Sequence, residues 1–482
     1  MLTRQSAEFR DARAKARRTP EQLQAALPCD VALIDVLEYT HLSPPPERKG
    51  ELKRERRLIA FVIRADRPIA RVELGPLKPV QEAIDAWRPI LRLEQPAPRD
   101  EQDGPAARLR RLVWNPLEPH LAGVATVLVS PDGALGLVPL EALPGKAAGS
   151  YLIEEYTLAL VPVPRMFGAG AAVAADGPKP ALARAEAPSL LLVGDVDYGG
   201  DPGAGPDRGA SRSAAVAYRS GLLLDFPELP ATGHEIAAIG GDFKLRFPGT
   251  QPDQLSGKLA IEAAVRAAAS QHRFLHLATH GYFAPEALKS ALGRPPGAAT
   301  PGELFGGIGV SSYNPGLLSG LALAGANVRP TPLGKDDGIL TALEVAELDL
   351  AKVELAVLSA CETGLGEVAG GEGLLGLQRA FQVAGAKSVV ASLWSVGDDA
   401  TRELMARFYD NLWQRQMAAL DALREAQLWM LRGPAEEPDA AQREVLLHML
   451  SRSAVPVPPD APRPDRVPPY YWAAFVLSTD RL

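Results

Sequence analysis

The chain has 482 residues, of which 46% are hydrophobic and 23% are charged, a composition that predicts a folded protein of two or three domains. The formal net charge of −7 disfavours nucleic acid as a partner, because phosphate binding needs a basic surface. The two cysteines, Cys29 and Cys361, exclude a disulfide framework and a zinc site of the CxxC type.

The N-terminal segment, residues 1–28, is charged and has little apolar periodicity, and we expect it to form a helix that is separate from the core. It lacks the apolar core of a signal peptide. No apolar run approaches the ~20 residues that a membrane-spanning helix needs. We therefore expect a cytoplasmic protein that contacts no membrane.

Residues 29–167 alternate strand-like and helix-like patterns and predict a small α/β subdomain. The strand-like runs are Val31–Tyr39, Leu58–Ile63, Ile69–Leu74 and 125–131, and the helical patterns are 77–91 and 106–114. The stretch 168–187 is rich in Ala, Gly and Pro, so we interpret it as a linker.

Residues 188–482 contain short apolar runs that alternate with helical patterns. The runs are 189–195, 243–247, 274–279, 355–360, 388–394 and 472–478, and the helical patterns are 232–240, 259–270, 372–384, 399–414 and 417–431. Strands that are buried on both faces and alternate with helices indicate a mostly parallel sheet covered by helices. Two long irregular segments, 283–335 and 432–469, interrupt this order and indicate functional or mobile loops.

Two of these runs end in reactive side chains. FLHLAT leads directly into His280 and Gly281, and LAVLSA leads directly into Cys361. Ligands of parallel sheets bind at the carboxyl ends of the strands, so adjacent strands would bring a base and a nucleophile together. The backbone N–H groups of Gly281 and Cys361 could then stabilise an oxyanion.

The motifs HLATHG and LSACETGLGE resemble the two signatures of the CHAT domain, a group of caspase- and separase-like cysteine peptidases of clan CD. Four further blocks, within 127–143, 190–199, 371–401 and 469–480, are similar to stretches that such domains carry in this order. The resemblance extends from about residue 30 to the C-terminus. It implies a caspase-like catalytic domain at 188–482, preceded by an inactive, pseudo-caspase-like companion subdomain.

The resemblance implies that His280 and Cys361 form a catalytic dyad, with Gly281 and Cys361 as the oxyanion hole. It also implies a regulated endopeptidase that cleaves a protein partner in bacterial defence or programmed cell death, with an activating protein as a possible second partner. The spacing from His280 to Cys361 is longer than the about 50 residues of caspases. Ser359 and not Gln precedes Ala360-Cys361, and Glu362 follows it, so this motif departs from the caspase pattern and does not predict cleavage after aspartate.

Three further residues are candidates for substrate binding: Asp398, Asp195 and Trp394. Asp398 follows the run 388–394 and matches a region that lines the first specificity pocket of such peptidases, although helix capping is an equal alternative. Asp195 ends the run 189–195 at the same edge of the sheet. If both carboxylates face the pocket, the enzyme would prefer a basic P1 residue. Trp394 fits core packing better than a substrate wall.

Two other interpretations remain open. A catalytically silent scaffold of the same fold would need neither His280 nor Cys361. A different thiol or serine hydrolase is the third possibility, although the GxSxG motif of a serine nucleophile is absent. For His276, the alternation along the strand favours core packing or a hydrogen bond that supports the site. No cofactor and no metal site are expected.

Overall fold

A computed structural model of the chain describes residues 19–44, 52–96, 98, 103–168, 188–199, 226–283, 315–317, 319–328, 336–362, 372–394, 396–436 and 466–481. The chain divides into two compact units. The first unit combines Met1–Ala185 with Val396–Leu482, and the second is Glu186–Ser395. Most of the predicted helix at 1–28 and almost all of the predicted linker at 168–187 lie outside the described residues.

Strands and helices alternate along both units. The strands are β1 Val31–Ser43, β2 Lys53–Arg64, β3 Arg67–Pro76, β4 Thr126–Ser130, β5 Thr157–Leu160, β6 Leu190–Val196, β7 Asp253–Gly257, β8 Phe274–Phe283, β9 Ser319–Ala322, β10 Ile339–Thr341, β11 Leu355–Glu362, β12 Ser388–Ser392 and β13 Phe475–Thr479. The α-helices are α1 Pro20–Ala25, α2 Leu77–Leu91, α3 Pro105–Leu109, α4 Leu152–Glu155, α5 Pro230–Arg246, α6 Glu262–Ala269, α7 Ala342–Val345, α8 Glu372–Val383, α9 Asp398–Tyr409, α10 Ala419–Glu436 and α11 Pro469–Trp472.

The first unit is built on a sheet with the strand order β13-β5-β4-β1-β2-β3. The pairs β13–β5, β5–β4 and β4–β1 are parallel, and β1–β2 and β2–β3 are antiparallel. Helix α2 packs against β2 through an apolar stripe at helical spacing. The buried residues of that stripe are Leu77, Val80, Ala83, Ile84, Trp87 and Leu91.

The C-terminal part of the chain completes this first unit. Strand β13 pairs with β5, and Arg424 of α10 donates hydrogen bonds to the carbonyls of Ile153 and Tyr156. Gln427, one turn further along α10, donates to the carbonyls of Trp472 and Phe475. Residues 396–482 thus cluster with the N-terminal unit, whereas the sequence suggests a single domain at 188–482.

The second unit has a parallel core, with the strand order β7-β6-β8-β11-β12. Strand β9 runs antiparallel to the end of β8, and β10 runs antiparallel to β9. Helix α5 packs on β6 and β8, and α8 packs on β12. The side chains from Phe274 to His280 and from Leu355 to Ala360 are all buried, as expected for central strands. The predicted α/β class, with mostly parallel sheets and flanking helices, is confirmed.

Two elements of the second unit differ from the sequence prediction. The run 243–247 was expected to be a strand but forms the last turn of α5, because Ile236, Ile239 and Phe243 share one helical face that is buried. Strand β7 was not foreseen, since DQLSG carries one large apolar residue and its side chains are exposed or half-buried. The short strand β9 lies within 283–335, a segment expected to be irregular.

Candidate active site

The two candidate catalytic residues occupy paired positions on adjacent strands. Strands β8 and β11 are parallel, and their register pairs His280 with Cys361 and Gly281 with Glu362. Neighbouring strands lie about 4.8 Å apart, so the two backbones are within reach of a side-chain interaction. The adjacency on which the predicted dyad depends is therefore present. The side chain of Cys361 lies outside the described residues.

The His280 ring is buried, with 1% of the residue exposed. Its Nε2 atom lies 2.6 Å from the carbonyl oxygen of Pro227. A carbonyl oxygen only accepts hydrogen bonds, so Nε2 carries the proton and Nδ1 carries the lone pair in the neutral ring. Nδ1 is itself buried and has no hydrogen-bond partner within the described structure. The ring thus presents one unprotonated nitrogen whose proton-accepting capacity is unused.

Burial sets the protonation state of His280. It lowers the pKa of the imidazole below its ordinary value of 6.5, and the hydrogen bond to Pro227 offsets this only in part. The ring is therefore neutral at pH 7. A neutral imidazole with a free Nδ1 is chemically able to accept a proton, and the imidazolium it forms gives that proton up readily.

Two aromatic rings enclose His280. The ring centroid of Tyr198 lies 5.0 Å from that of His280, and the centroid of Phe226 lies 5.6 Å from it. The hydroxyl of Tyr198 is hydrogen-bonded to Thr279 Oγ1 at 2.9 Å. Burial raises the pKa of Tyr198 to about 12, so its hydroxyl stays protonated and does not serve as a base at neutral pH.

These partners of His280 were not found from the sequence. The Pro227 carbonyl belongs to the backbone and lies 53 positions before His280, so no residue type marks it. Tyr198 lies within LLLVGDVDYG, one of the blocks that resemble CHAT domains, which was a usable signal. Phe226 lies outside every strand and helix pattern that the sequence predicts.

Gly281 continues strand β8 beyond His280. Its residue is buried, and it pairs with Glu362 of β11 on one side and with Leu321 of β9 on the other. The position next to the paired His280 and Cys361 is the one that the oxyanion-hole prediction requires. The role of the Gly281 and Cys361 N–H groups stays a prediction.

Asp195 lies at the end of β6 in a left-handed backbone conformation, with φ +53°. Its N–H donates to Thr232 Oγ1 at 2.8 Å, and Thr232 lies in the first turn of α5. The carboxylate side chain is exposed. Strand β6 pairs with the first half of β8, so Asp195 lies at the carboxyl end of the sheet that carries His280.

The other two candidate substrate residues differ from Asp195. Trp394 is only 3% exposed, which agrees with core packing. Asp398 is the first residue of α9, and its side chain lies outside the described residues.

His276 forms a buried hydrogen bond below the site. Its Nε2 lies 3.0 Å from Oε1 of Glu235 in α5, and the residue is fully buried. His276 thus shows both of the features that the sequence left open, burial in the core and a hydrogen bond. The pair joins α5 to β8 four residues before His280.

No group of three or more His, Cys, Asp or Glu side chains within the described ranges is arranged to hold a metal ion. The helices of the described part are all too short or too polar to cross a bilayer.

Residues 103–480 match the family model of the CHAT domain. The chain belongs to the CHAT domain family. Among curated proteins, the mouse (Mus musculus) tetratricopeptide repeat protein 28 is 27% identical over 284 residues, which make up 58% of this chain and 10% of that protein. The chain thus spans only a tenth of the length of this relative.

Two solved structures of cysteine proteinases are similar to the chain. The Arg-specific cysteine proteinase gingipain R matches with a TM-score of 0.35 and 9% identity, over 78% of this chain and 67% of that one. The Saccharomyces cerevisiae separase in complex with securin matches with a TM-score of 0.39 and 9% identity, over 98% of this chain and 31% of that one. TM-scores this low support no conclusion on activity.

Proposed function

We propose that the protein is a regulated cysteine endopeptidase in which Cys361 is the nucleophile and His280 is the general acid and base. The observation that carries the proposal is the register that pairs these two residues on adjacent parallel strands. The protonation state of His280 supports it. Its Nε2–H is held by the Pro227 carbonyl, which leaves the buried Nδ1 as the base.

The proposed reaction has two stages. The Cys361 thiol transfers its proton to Nδ1 of His280, and the sulfur attacks the carbonyl carbon of the scissile peptide bond. Negative charge moves onto the carbonyl oxygen, where the N–H groups of Gly281 and Cys361 would stabilise it. When the C–N bond breaks, Nδ1–H returns the proton to the leaving amine and an acyl-enzyme remains.

In the second stage, water hydrolyses the acyl-enzyme. Nδ1 takes a proton from the water as its oxygen attacks the thioester carbon. The C–S bond then breaks, the new carboxylic acid leaves, and the proton returns to the sulfur. The lowered pKa of His280 suits this cycle, because the neutral base predominates at pH 7 and the imidazolium gives up its proton more readily than an exposed one.

The proposed substrate is a protein partner that carries a basic P1 residue. The exposed Asp195 carboxylate at the carboxyl end of the sheet supports this preference, since a carboxylate forms charge-assisted hydrogen bonds with Arg or Lys. Asp398 is the second proposed contributor. The proposal includes a role in bacterial defence or programmed cell death and an activating protein partner, which the resemblance to CHAT-domain peptidases supports. We place the reaction in the cytoplasm, where a reducing environment keeps Cys361 as a thiol.

The test uses four proteins: wild type, Cys361→Ala, His280→Ala and Cys29→Ala. Each is incubated with a cell lysate and with a peptide library, and new amino termini are mapped by mass spectrometry. Cys29 is exposed and lies outside the site, so Cys29→Ala is the matched control and should cleave like wild type. We expect Cys361→Ala to abolish cleavage and His280→Ala to reduce its rate by on the order of 10²–10⁴-fold.

A covalent probe provides a second readout. A peptidyl chloromethyl ketone with Arg at P1 should alkylate the Cys361 sulfur with loss of chloride and leave Cys29 unlabelled. Asp195→Asn should slow labelling by this Arg probe more than labelling by the same probe with Leu at P1. Cleavage that persists in Cys361→Ala would refute the nucleophile. A wild-type protein that yields no Cys361-dependent cleavage or labelling, with the lysate present as a source of activators, would favour the non-catalytic scaffold.

A further inference from the structure

The hydrogen-bond acceptor of His280 does not belong to the sheet. Phe226 and Pro227 precede α5 and lie outside every strand, so sheet pairing does not hold the Pro227 carbonyl in position. A base that depends on this carbonyl for its tautomer and orientation needs the carbonyl itself to be fixed. The contacts of residues 226 and 227 therefore decide how well His280 is positioned.

The side chain of Asn327 holds this segment at two points. Its Oδ1 accepts a hydrogen bond from the N–H of Phe226 at 2.8 Å, and its Nδ2 donates to the carbonyl of Phe226 at 2.9 Å. The amide of Asn327 thus pairs with Phe226 as a neighbouring strand would. Both peptide groups that flank Phe226 are fixed by one planar side chain.

Proline chemistry extends this restraint to the acceptor. The carbonyl of Phe226 belongs to the planar peptide unit that ends at the nitrogen of Pro227. The pyrrolidine ring locks φ of Pro227, so ψ of Pro227 is the only soft dihedral between the anchored carbonyl and the carbonyl that accepts from His280. Asn327 therefore restrains the acceptor of His280 through the backbone of the Phe226–Pro227 segment.

The backbone of Asn327 is itself tied to the second wall of the site. Its N–H donates to the carbonyl of Tyr198 at 2.9 Å, and the Tyr198 ring packs on His280. The N–H of Gly325 donates to the carbonyl of Asp197 at 3.3 Å, and a Cβ at Gly338 would overlap the backbone of Ala326. The turn 323–328 is thus packed too closely to shift freely, and Asn327 links the two aromatic rings that enclose His280.

We propose that Asn327 is a positioning residue: its amide holds the Phe226–Pro227 segment so that the Pro227 carbonyl keeps His280 as the Nε2–H tautomer, with Nδ1 directed to the reaction. This proposal rests on the proposed function, in which Nδ1 of His280 is the base. It assigns a role to the segment between the two catalytic residues, since the turn 323–328 would complete the site.

The test reads the state of His280 directly by nuclear magnetic resonance. The chain has seven histidines, so protein labelled with ¹⁵N and ¹³C in histidine is compared with His280→Ala to assign the signal. The ¹⁵N shifts give the tautomer, and a pH titration gives the pKa. Four proteins are compared: wild type, Asn327→Ala, Asn327→Asp and Asn411→Ala.

Asn411→Ala is the matched control for lost stability. Asn411 is a buried asparagine of the other unit, and its Nδ2 donates to the carbonyl of Ala422 at 3.0 Å. The Asn411→Ala variant therefore also loses a side-chain amide and its hydrogen bond, and it weakens the fold without changing the Phe226–Pro227 segment. Asn327→Asp keeps the acceptor for the Phe226 N–H and loses the donor to its carbonyl, so it should give an intermediate result.

We expect wild type to show His280 as Nε2–H. In Asn327→Ala the Nδ1–H form should increase, and the pKa of His280 should rise toward 6.5, because water reaches a ring that is no longer enclosed. Cys361-dependent cleavage should lose on the order of a hundredfold in kcat with an unchanged KM. Asn411→Ala should leave the tautomer and the pKa as in wild type.

Two results would overturn the proposal. One is an Asn327→Ala protein with the wild-type tautomer and pKa of His280, and the other is an equal change in Asn411→Ala. If wild type cleaves nothing, the proposed function fails, but the resonance data still decide whether Asn327 positions His280. The two failures are therefore distinguishable.

Discussion

Glu262 offers a sharp test of the electrostatics of the second unit. This first residue of α6 is 1% exposed. Its Oε1 lies 3.2 Å from Arg266, and its Oε2 is buried without a hydrogen-bond partner in the described structure. Burial, followed by the nearby charges of Glu344, Asp336 and Asp337, raises its pKa to about 8, and Arg266 opposes this. We therefore expect a neutral carboxyl at pH 7.

The pH dependence has a defined sign. Between the ordinary value of 4.5 and about 8, the folded state keeps a proton that the unfolded state has released. The stability that this proton contributes is complete below pH 4.5 and is lost as pH rises to about 8. The slope is about 1.4 kcal/mol per pH unit, so by pH 7 the free energy of unfolding has fallen by roughly 3 kcal/mol.

Replacing Glu262 with Gln removes this titration and keeps the shape of the side chain. We expect Glu262→Gln to stabilise the protein by roughly 3 kcal/mol at pH 7 relative to wild type, and to change little at pH 5. Urea unfolding of both proteins at the two pH values measures the difference. Glu347→Gln, at an exposed glutamate three residues after Glu344, is the control and should stay within about 0.5 kcal/mol of wild type at both pH values.

The opposite outcome would refute this reasoning. If Glu262→Gln is less stable than wild type at pH 7, the carboxyl is ionised and its pairing with Arg266 outweighs burial and the three like charges. An equal effect at pH 5 and pH 7 would show that the difference lies in packing and not in titration.

Three further predictions concern single residues. Gly385 follows α8 with φ +115°, and a Cβ there would lie 2.8 Å from the backbone nitrogen of Ala351, so Gly385→Ala should cost about 3 kcal/mol in urea unfolding. Gly241→Ala, in open space within α5, should be neutral or stabilising. Gln427→Leu leaves the carbonyls of Trp472 and Phe475 without their donor and should cost about 2 kcal/mol, whereas the exposed Gln416→Leu should not. Asp195→Gly removes the strain of an aspartate in the left-handed backbone region, so it should raise the free energy of unfolding by about 0.5–1 kcal/mol. Cleavage after basic residues should decline in the same variant. A lower free energy of unfolding would contradict the strain argument.

The central strands of the second unit could be predicted because both of their faces are buried. FLHLAT and LAVLSA are apolar without alternation, and they form β8 and β11 as expected. The two strands are adjacent, as the predicted dyad requires, and their register pairs His280 with Cys361; the catalytic role of the pair stays a prediction. The end of α8 was also predictable, since Gly385 adopts a positive φ just beyond it.

The sequence contains weaker signals for the end of α5 and for the residues that hold His280. In α5, Gly240 and Gly241 interrupt the helical pattern, so the apolar residues that follow predict a strand, although Phe243 continues the buried helical face. The Pro227 carbonyl and the Asn327 amide act on the backbone, where residue type carries little information. The segment 323–328 could not be related to His280 because its bonds to the residues that enclose His280 span about a hundred positions or more of sequence, as those between Asn327 and Phe226 and between Asn327 and Tyr198 do.

The pairing of β13 with β5 constrains how the protein folds during synthesis. When β1 to β5 have left the ribosome, β5 still lacks its outer neighbour β13, and α10 is not yet present to donate hydrogen bonds to the carbonyls of Ile153 and Tyr156. An unpaired strand edge favours aggregation. The sheet of the first unit is therefore completed only after α10 and β13 have been made.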